Sequence, residues 1–172
     1  MPMSPRTRWA RVSSWAFRSD PVTGRDSGAS ADAAGPLILH ATTVAANGRA
    51  ALIRGTSGSG KSGLALALIG LGAGLVADDR TRLRRTGDQV IADAPEAIRG
   101  RIEARGVGIM GCPAAGPVPL ALIVDMDRPE PERLPPWGEE KVLDISLPIL
   151  GNPGHPHFPS AILLYLMYGR VD

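Results

Sequence analysis

The sequence predicts an α/β fold, a central mixed β-sheet with flanking helices and β-hairpins. Three observations lead there. Short apolar runs of strand length alternate with runs of helical length. A glycine-rich loop sits between a strand-like run and a helix-like run. Turn dipeptides, above all Asn47-Gly48, divide β-rich segments into hairpins.

In chain order, residues 1–35 are rich in Ser, Arg, Gly and Asp, hold no sustained period, and read as a disordered N-terminal extension. Trp9, Trp15 and Phe17 among arginines also give this stretch the composition of a targeting peptide, without the long apolar core of a secretory signal. The folded body is expected over residues 36–172. Its first part, from Pro36 to Arg54, has two β-rich runs flanking Asn47-Gly48. A two-residue turn there sets Ala46 opposite Arg49 and, if the register continues, His40 opposite Gly55. A helix over about 61–71 follows the glycine loop, Gly72–Gly74 closes it, and Leu75–Ala77 reads as a short buried strand, making a βαβ-like unit. Thr81–Arg85 and Gln89–Asp93 flank Thr86-Gly87-Asp88 as a second hairpin. Val118–Val124 reads as a buried strand ending at Asp125, and Val142–Leu147 as another. A Gly/Pro/His loop over 151–159 leads to a last helix, Ser160–Tyr168, with Ser160 at its N-cap.

Charge excludes one class of partner. The chain of 172 residues carries a net charge of +2 and a pI of about 9.1. The excess lies in residues 1–35, which hold Arg6, Arg8, Arg11, Arg18 and Arg25 against Asp20, Asp26 and Asp32. The remainder is neutral, so no basic stripe marks the body and no nucleic-acid partner is expected. The single cysteine, Cys112, excludes an intramolecular disulfide framework. Residues 62–77 are too short to span a membrane and Pro113, Pro117 and Pro119 break the longer uncharged stretch, so no membrane partner is expected and the location is read as cytoplasmic.

The glycine loop, Gly55-Thr56-Ser57-Gly58-Ser59-Gly60-Lys61-Ser62, matches the P-loop pattern G-x-x-x-x-G-K-S between the apolar run Ala51–Ile53 and a helix. The glycines let the backbone aim N–H groups at phosphate oxygens, and the helix N-terminus adds its dipole. Lys61 can reach the β- and γ-phosphates of a nucleotide such as ATP, and Ser62 can hold Mg²⁺. Lys61 is one of only two lysines in the chain. Asp78 and Asp79 end the strand after the helix, where an open α/β sheet borders its ligand crevice. One carboxylate can steer Mg²⁺ and the other can accept a proton from an attacking hydroxyl; solvated turn acids are the plain alternative. The register brings His40 to the lip of the loop, where it can orient a carboxylate or touch a transferred phosphate. Arg101-Ile-Glu103-Ala-Arg105-Gly106-Val-Gly108 reads on local evidence as a surface loop, although Glu103 could coordinate the metal. Arg133 lies in a proline-rich loop. His155 and His157 suit a metal only with further partners.

Together these motifs resemble the catalytic domain of the HPr kinase/phosphorylase family, over about residues 37–172. The resemblance rests on a histidine fifteen residues ahead of the loop's first glycine (His40), the G-x-S-G-x-G-K-S loop (Gly55 to Ser62), the L-V-A-D-D strand end (Leu75 to Asp79), the E-x-R-G-x-G run (Glu103 to Gly108), and a later Arg-Leu (Arg133). It implies a P-loop kinase domain that uses ATP and Mg²⁺ to phosphorylate a serine of an HPr-like phosphocarrier protein of a phosphotransferase system. It implies Asp79 as the base, His40 as its assistant, Lys61 and the loop amides on the nucleotide, Ser62, Glu103 and Asp78 at the metal, and Arg133 on the phosphate or the reactive loop. It also implies a homo-oligomer, a hexamer in relatives. The 35-residue extension looks too short for the family's N-terminal domain, which resembles the short alphaproteobacterial form. Gly63 stands where long members usually carry Glu, and Leu147–Gly154 lacks the arginines of their P-x-R-P-G-R-N segment. Phosphorylase activity is therefore expected to be weak or absent. Two other classes fit the loop: a P-loop kinase for a small molecule, and a non-catalytic nucleotide-dependent binder.

Overall fold

The structure, a computed structural model, describes residues 36–171. The expectation for residues 1–35 lies outside the described residues. Asn47 (φ 51°) and Gly48 (φ 70°) both take the left-handed backbone that a tight hairpin turn requires. They join β2 (Thr42–Ala46) to β3 (Arg49–Arg54) with Ala46 opposite Arg49 and Thr42 opposite Ile53, the expected register. The register stops there. β1 (Leu37–Leu39) leaves the hairpin and pairs with β5 (Thr81–Thr86), Leu39 opposite Thr81. His40 is therefore not opposite Gly55. Thr81 holds the switch point: its hydroxyl donates to Ala41 O at 3.0 Å and accepts from Thr43 Oγ1 at 2.8 Å.

The glycine loop leads into α1 (Lys61–Gly70), and α1 into β4 (Gly74–Ala77). β4 pairs antiparallel with β2, so β2 lies between the two strands of the βαβ-like unit. β5 and β6 (Gln89–Asp93) form the second expected hairpin, Thr86 opposite Gln89. A one-turn 3₁₀ helix (Glu96–Ile98) precedes β7 (Arg101–Ala104) and β8 (Gly108–Gly111). The expected surface loop is thus a two-stranded hairpin. Alternation explains it: Ile102 is 1% exposed and packs with the helix core, which leaves Arg101 and Glu103 on the other side.

The long strand β9 (Val118–Pro129) runs past the expected end at Asp125. It pairs parallel with β3 from Ala50–Leu120 to Arg54–Asp125, and parallel with β11 (Ile145–Asn152). The single strand expected over 142–147 is instead the hairpin of β10 (Gly138–Val142) and β11. Its turn, Leu143-Asp144, has left-handed backbone (φ 49° and 63°) without a glycine to announce it. The last helix, α2 (Phe158–Tyr168), starts before Ser160. Pro159 occupies its first turn and His157 is the N-cap, so Ser160 caps nothing.

Nine strands form the main sheet among the described residues, with the order β1-β5-β6-β9-β3-β2-β4 and β10-β11 attached to β9. Strand alternation sends Ala50 and Leu52 to one core cluster and Ala51 and Ile53 to another. Both helices pack on the second cluster, through Leu64, Ala65 and Leu68 of α1 and Phe158, Ile162 and Leu166 of α2. The first cluster is built of strand and loop residues alone. Among the described residues no helix is long and apolar enough to cross a membrane.

Candidate active site

The loop after β3 starts with Gly55 at φ 146°. A Cβ there would lie 2.6 Å from Ser59 Oγ and 3.0 Å from Met126 Cβ, so only glycine lets the loop close on the end of β9. Gly60, at φ 96°, is the N-cap of α1, no side chain caps that helix, and its first turn holds no acid. The helix terminus therefore keeps its positive partial charge. Lys61 is buried, and its Nζ donates to Gly55 O and Thr56 O, each at 2.9 Å. The hydroxyl of Ser59 is buried without a protein partner.

The strand-end acids take different environments. Asp78 is buried and accepts three bonds: from Thr42 Oγ1 (2.8 Å) and Ser62 Oγ (3.1 Å) at Oδ1, and from the Glu103 N–H (3.1 Å) at Oδ2. β2, α1 and β7 thus converge on one carboxylate. The Asp79 side chain is 74% exposed. Its φ is 67°, and the Arg80 N–H bonds Asp78 O at 2.8 Å across it, so Asp79 is the centre of a tight γ-type turn. His40 Nδ1 lies 3.1 Å from Asp79 O and 3.3 Å from Asp79 Oδ1. A carbonyl oxygen only accepts, so Nδ1 is the donor in that contact.

These groups line a cleft of about 680 Å³. It brings together His40, Ser57, Gly58, Gly60, Lys61, Ser62, Asp78, Asp79 and Glu103, with Arg101, Arg105 and Ile109 of the β7–β8 hairpin on its rim. Gly55, Thr56 and Ser59 do not line the cleft. Arg133 does not join the cleft. It lines a separate hollow of about 470 Å³ with Glu130, Glu132, His155 and His157. The two imidazoles stack with centroids 5.2 Å apart. Among the described residues no group of three or more His, Cys, Asp or Glu could hold a metal unaided.

Several residues of the site were not visible in the motifs. Thr42 is one. Another group lies behind the loop, where Arg54 donates to Asp125 Oδ2 through Nε (3.1 Å) and Nη2 (2.8 Å), and to both carboxylate oxygens of Glu140. Hydrogen bonding to Glu140 raises the Arg54 pKa above its ordinary value, against the opposing effect of burial. Burial pushes the Asp125 carboxyl up, but bonds from Arg54 and from the Asp127 and Arg128 amides outweigh it and hold the pKa below the usual carboxylate value. Asp127 accepts from the Thr56 N–H (2.7 Å) and Thr56 Oγ1 (3.0 Å). The available signal was Asp125-Met-Asp127 at the end of an apolar run, the pattern that flagged Asp78-Asp79.

Comparison with known proteins adds to this geometry. Residues 32–115 match the family model of the HPr Serine kinase C-terminal domain. The HPr kinase/phosphorylase of Exiguobacterium sp. is 34% identical over 139 residues, which covers 73% of this chain and 45% of that protein. That of Geobacillus thermodenitrificans is 37% identical over the same length and the same shares. The solved structure of the Hpr(Ser) kinase/phosphatase from Coxiella burnetii matches with a TM-score of 0.62 and 26% identity, covering 76% of this chain and 93% of that one. Sequence and structure together support the HPr kinase/phosphorylase family. The similarity is to its C-terminal domain, and the mixed sheet with its helices matches that domain's fold. The chain spans less than half the length of these two curated relatives. Within the family match, His40, the glycine loop, Asp78, Asp79 and Glu103 all lie inside the matched span, and Arg133 lies beyond it.

Proposed function

We propose that this chain is an ATP- and Mg²⁺-dependent kinase that phosphorylates a serine of an HPr-like phosphocarrier protein. The observation that carries the reading is the division of labour between neighbouring acids: Asp78 is buried on Ser62, and Asp79 is exposed beside His40 in the same cleft as Lys61.

The residues fit the nucleotide and its metal. Left-handed glycines, an uncapped helix terminus and a buried ammonium suit phosphate oxygens. The protein offers a hydroxyl and carboxylates at Ser62, Asp78 and Glu103, too few for a cation alone, which suits Mg²⁺ shared with phosphates and water. Mg²⁺ bound there would neutralise charge on the phosphate oxygens. Lys61 exchanges its loop carbonyls for phosphate oxygens. Asp78 holds the Ser62 hydroxyl and keeps β7, with Glu103, against the loop. Asp79 takes the proton of the acceptor serine as its oxygen bonds to the γ-phosphorus, the bond to the β–γ bridging oxygen breaks, and ADP leaves. His40 fixes the Asp79 backbone and carboxylate through Nδ1. Phosphorylase activity is weak or absent in this reading, because Leu147–Gly154 has no arginine to hold inorganic phosphate. A cytoplasmic location, the alphaproteobacterial type and assembly up to a hexamer belong to the same proposal, the last checked by light scattering.

The test is incubation of the chain with labelled ATP, Mg²⁺ and an HPr-like carrier, followed by mapping of phosphoserine. Label on the carrier's serine, lost with Asp79→Asn while ATP still binds, is the expected result. Turnover without a protein acceptor would favour a small-molecule kinase. ATP binding with no transfer to any acceptor would favour a regulatory binder.

A further inference from the structure

We propose that Asp127 is a positioning residue that holds the first turn of the Gly55–Gly60 loop in shape and thereby sets nucleotide affinity. The inference rests on the nucleotide reading of the cleft. Asp127 lies outside the cleft lining and acts through one residue, Thr56, whose N–H reaches Oδ2 at 2.7 Å and whose hydroxyl reaches Oδ1 at 3.0 Å. The anchor is itself anchored. The Asp127 N–H donates to Asp125 Oδ1 at 3.1 Å, and Arg54 clamps Asp125 Oδ2. Arg54 and Asp125 are register partners in the parallel β3–β9 pair, so the support stands on the sheet.

The reason for such an anchor lies on the loop's other side. Lys61 Nζ holds the carbonyls of Gly55 and Thr56. One short stretch of backbone is thus gripped twice, by Lys61 at its carbonyls and by Asp127 at an amide and a hydroxyl. A phosphate that draws Lys61 away removes the first grip at the moment of binding. Asp127 is the grip that remains, so the loop keeps its shape without the lysine. Asp127 is exposed, so it adds little to the stability of the whole fold.

The test is calorimetric titration of the full chain with ATP in the presence of Mg²⁺, for wild type, Asp127→Ala, Asp127→Asn, Thr56→Val, the Asp127→Ala/Thr56→Val double variant and Lys61→Ala, with thermal unfolding of each. Asp127→Ala should raise Kd about tenfold. KM for ATP should rise with it, while kcat at saturating ATP and the unfolding midpoint hold. Asn can accept from the Thr56 amide and donate to its hydroxyl, so Asp127→Asn should recover most of the affinity. The double variant should be no weaker than Asp127→Ala alone. Wild-type affinity in Asp127→Ala, no recovery in Asp127→Asn, or additive losses would overturn the inference. If Lys61→Ala loses ATP and Asp127→Ala does not, the inference fails alone. If the wild-type chain binds no ATP, the nucleotide reading fails and takes the inference with it.

Discussion

Replacing Thr42 with valine tests the convergence on Asp78 with almost no change of shape. Thr42 is 0% exposed, Asp78 is 9% exposed, and the hydroxyl donates to Oδ1 at 2.8 Å. Valine puts a methyl where the donor was. The buried carboxylate keeps Ser62 Oγ and the Glu103 N–H but loses its shortest bond. A hydrogen bond to a charged group contributes about 1.5–3 kcal/mol, so about 2 kcal/mol of stability should go. For a folded body of this size that corresponds to roughly 8 °C in the melting midpoint. Urea and thermal unfolding of wild type, Thr42→Val and Thr42→Ser measure it, and serine should recover most of the loss because it restores the donor. A valine variant within about 0.5 kcal/mol of wild type, which is the scatter of a substitution that breaks nothing, would refute the claim that this bond organises the site.

Three further outcomes follow from the same geometry. Asp79→Gly should raise stability by up to about 1 kcal/mol, since the left-handed turn suits glycine and the lost side chain is exposed, while phosphoryl transfer to the carrier disappears; chemical denaturation and the labelled-ATP assay read the two effects. Gly55→Ala should lose ATP binding, because its Cβ would meet Ser59 Oγ at 2.6 Å and force the loop off β9, and a calorimetric titration unchanged from wild type would contradict this. The Asp125 carboxyl titrates below the ordinary carboxylate value when folded, so its stabilisation is complete above about pH 5 and is lost as pH falls through the lowered value; Asp125→Asn should therefore show a shallower acid decline in melting midpoint than wild type.

What was legible in the sequence was local. Asn47-Gly48, the loop from Gly55 to Ser62, the helix after it and the strand ending at Asp78-Asp79 each announce themselves within a few residues, and the structure contains the hairpin, the helix and the strand where they were expected. What was not legible depends on partners distant in the chain. Thr42 meets Asp78 across 36 residues, and nothing near Thr42 distinguishes it from any strand threonine. Leu37–Leu39 leaves β2 and pairs with β5, and the hydroxyl of Thr81 holds the junction. His40 reached the cleft by that departure, beside Asp79 rather than Gly55. Leu143-Asp144 hid a hairpin because neither residue advertises left-handed backbone as glycine does. The hairpin around Glu103 was obscured by its charged face; the signal was the alternate face, where Ile102 is buried.

The pairing of Asp78 with Asp79 shows why a dipeptide can do two jobs that one environment could not support. Two ionised carboxylates placed side by side in one setting would push each other's pKa upward and share a proton. Here the backbone separates them. β4 ends by sending Asp78 inward among three donors. The γ-type turn sends Asp79 outward, to an exposed position beside His40. The separation of the two carboxylates depends on a left-handed backbone at one residue, Asp79.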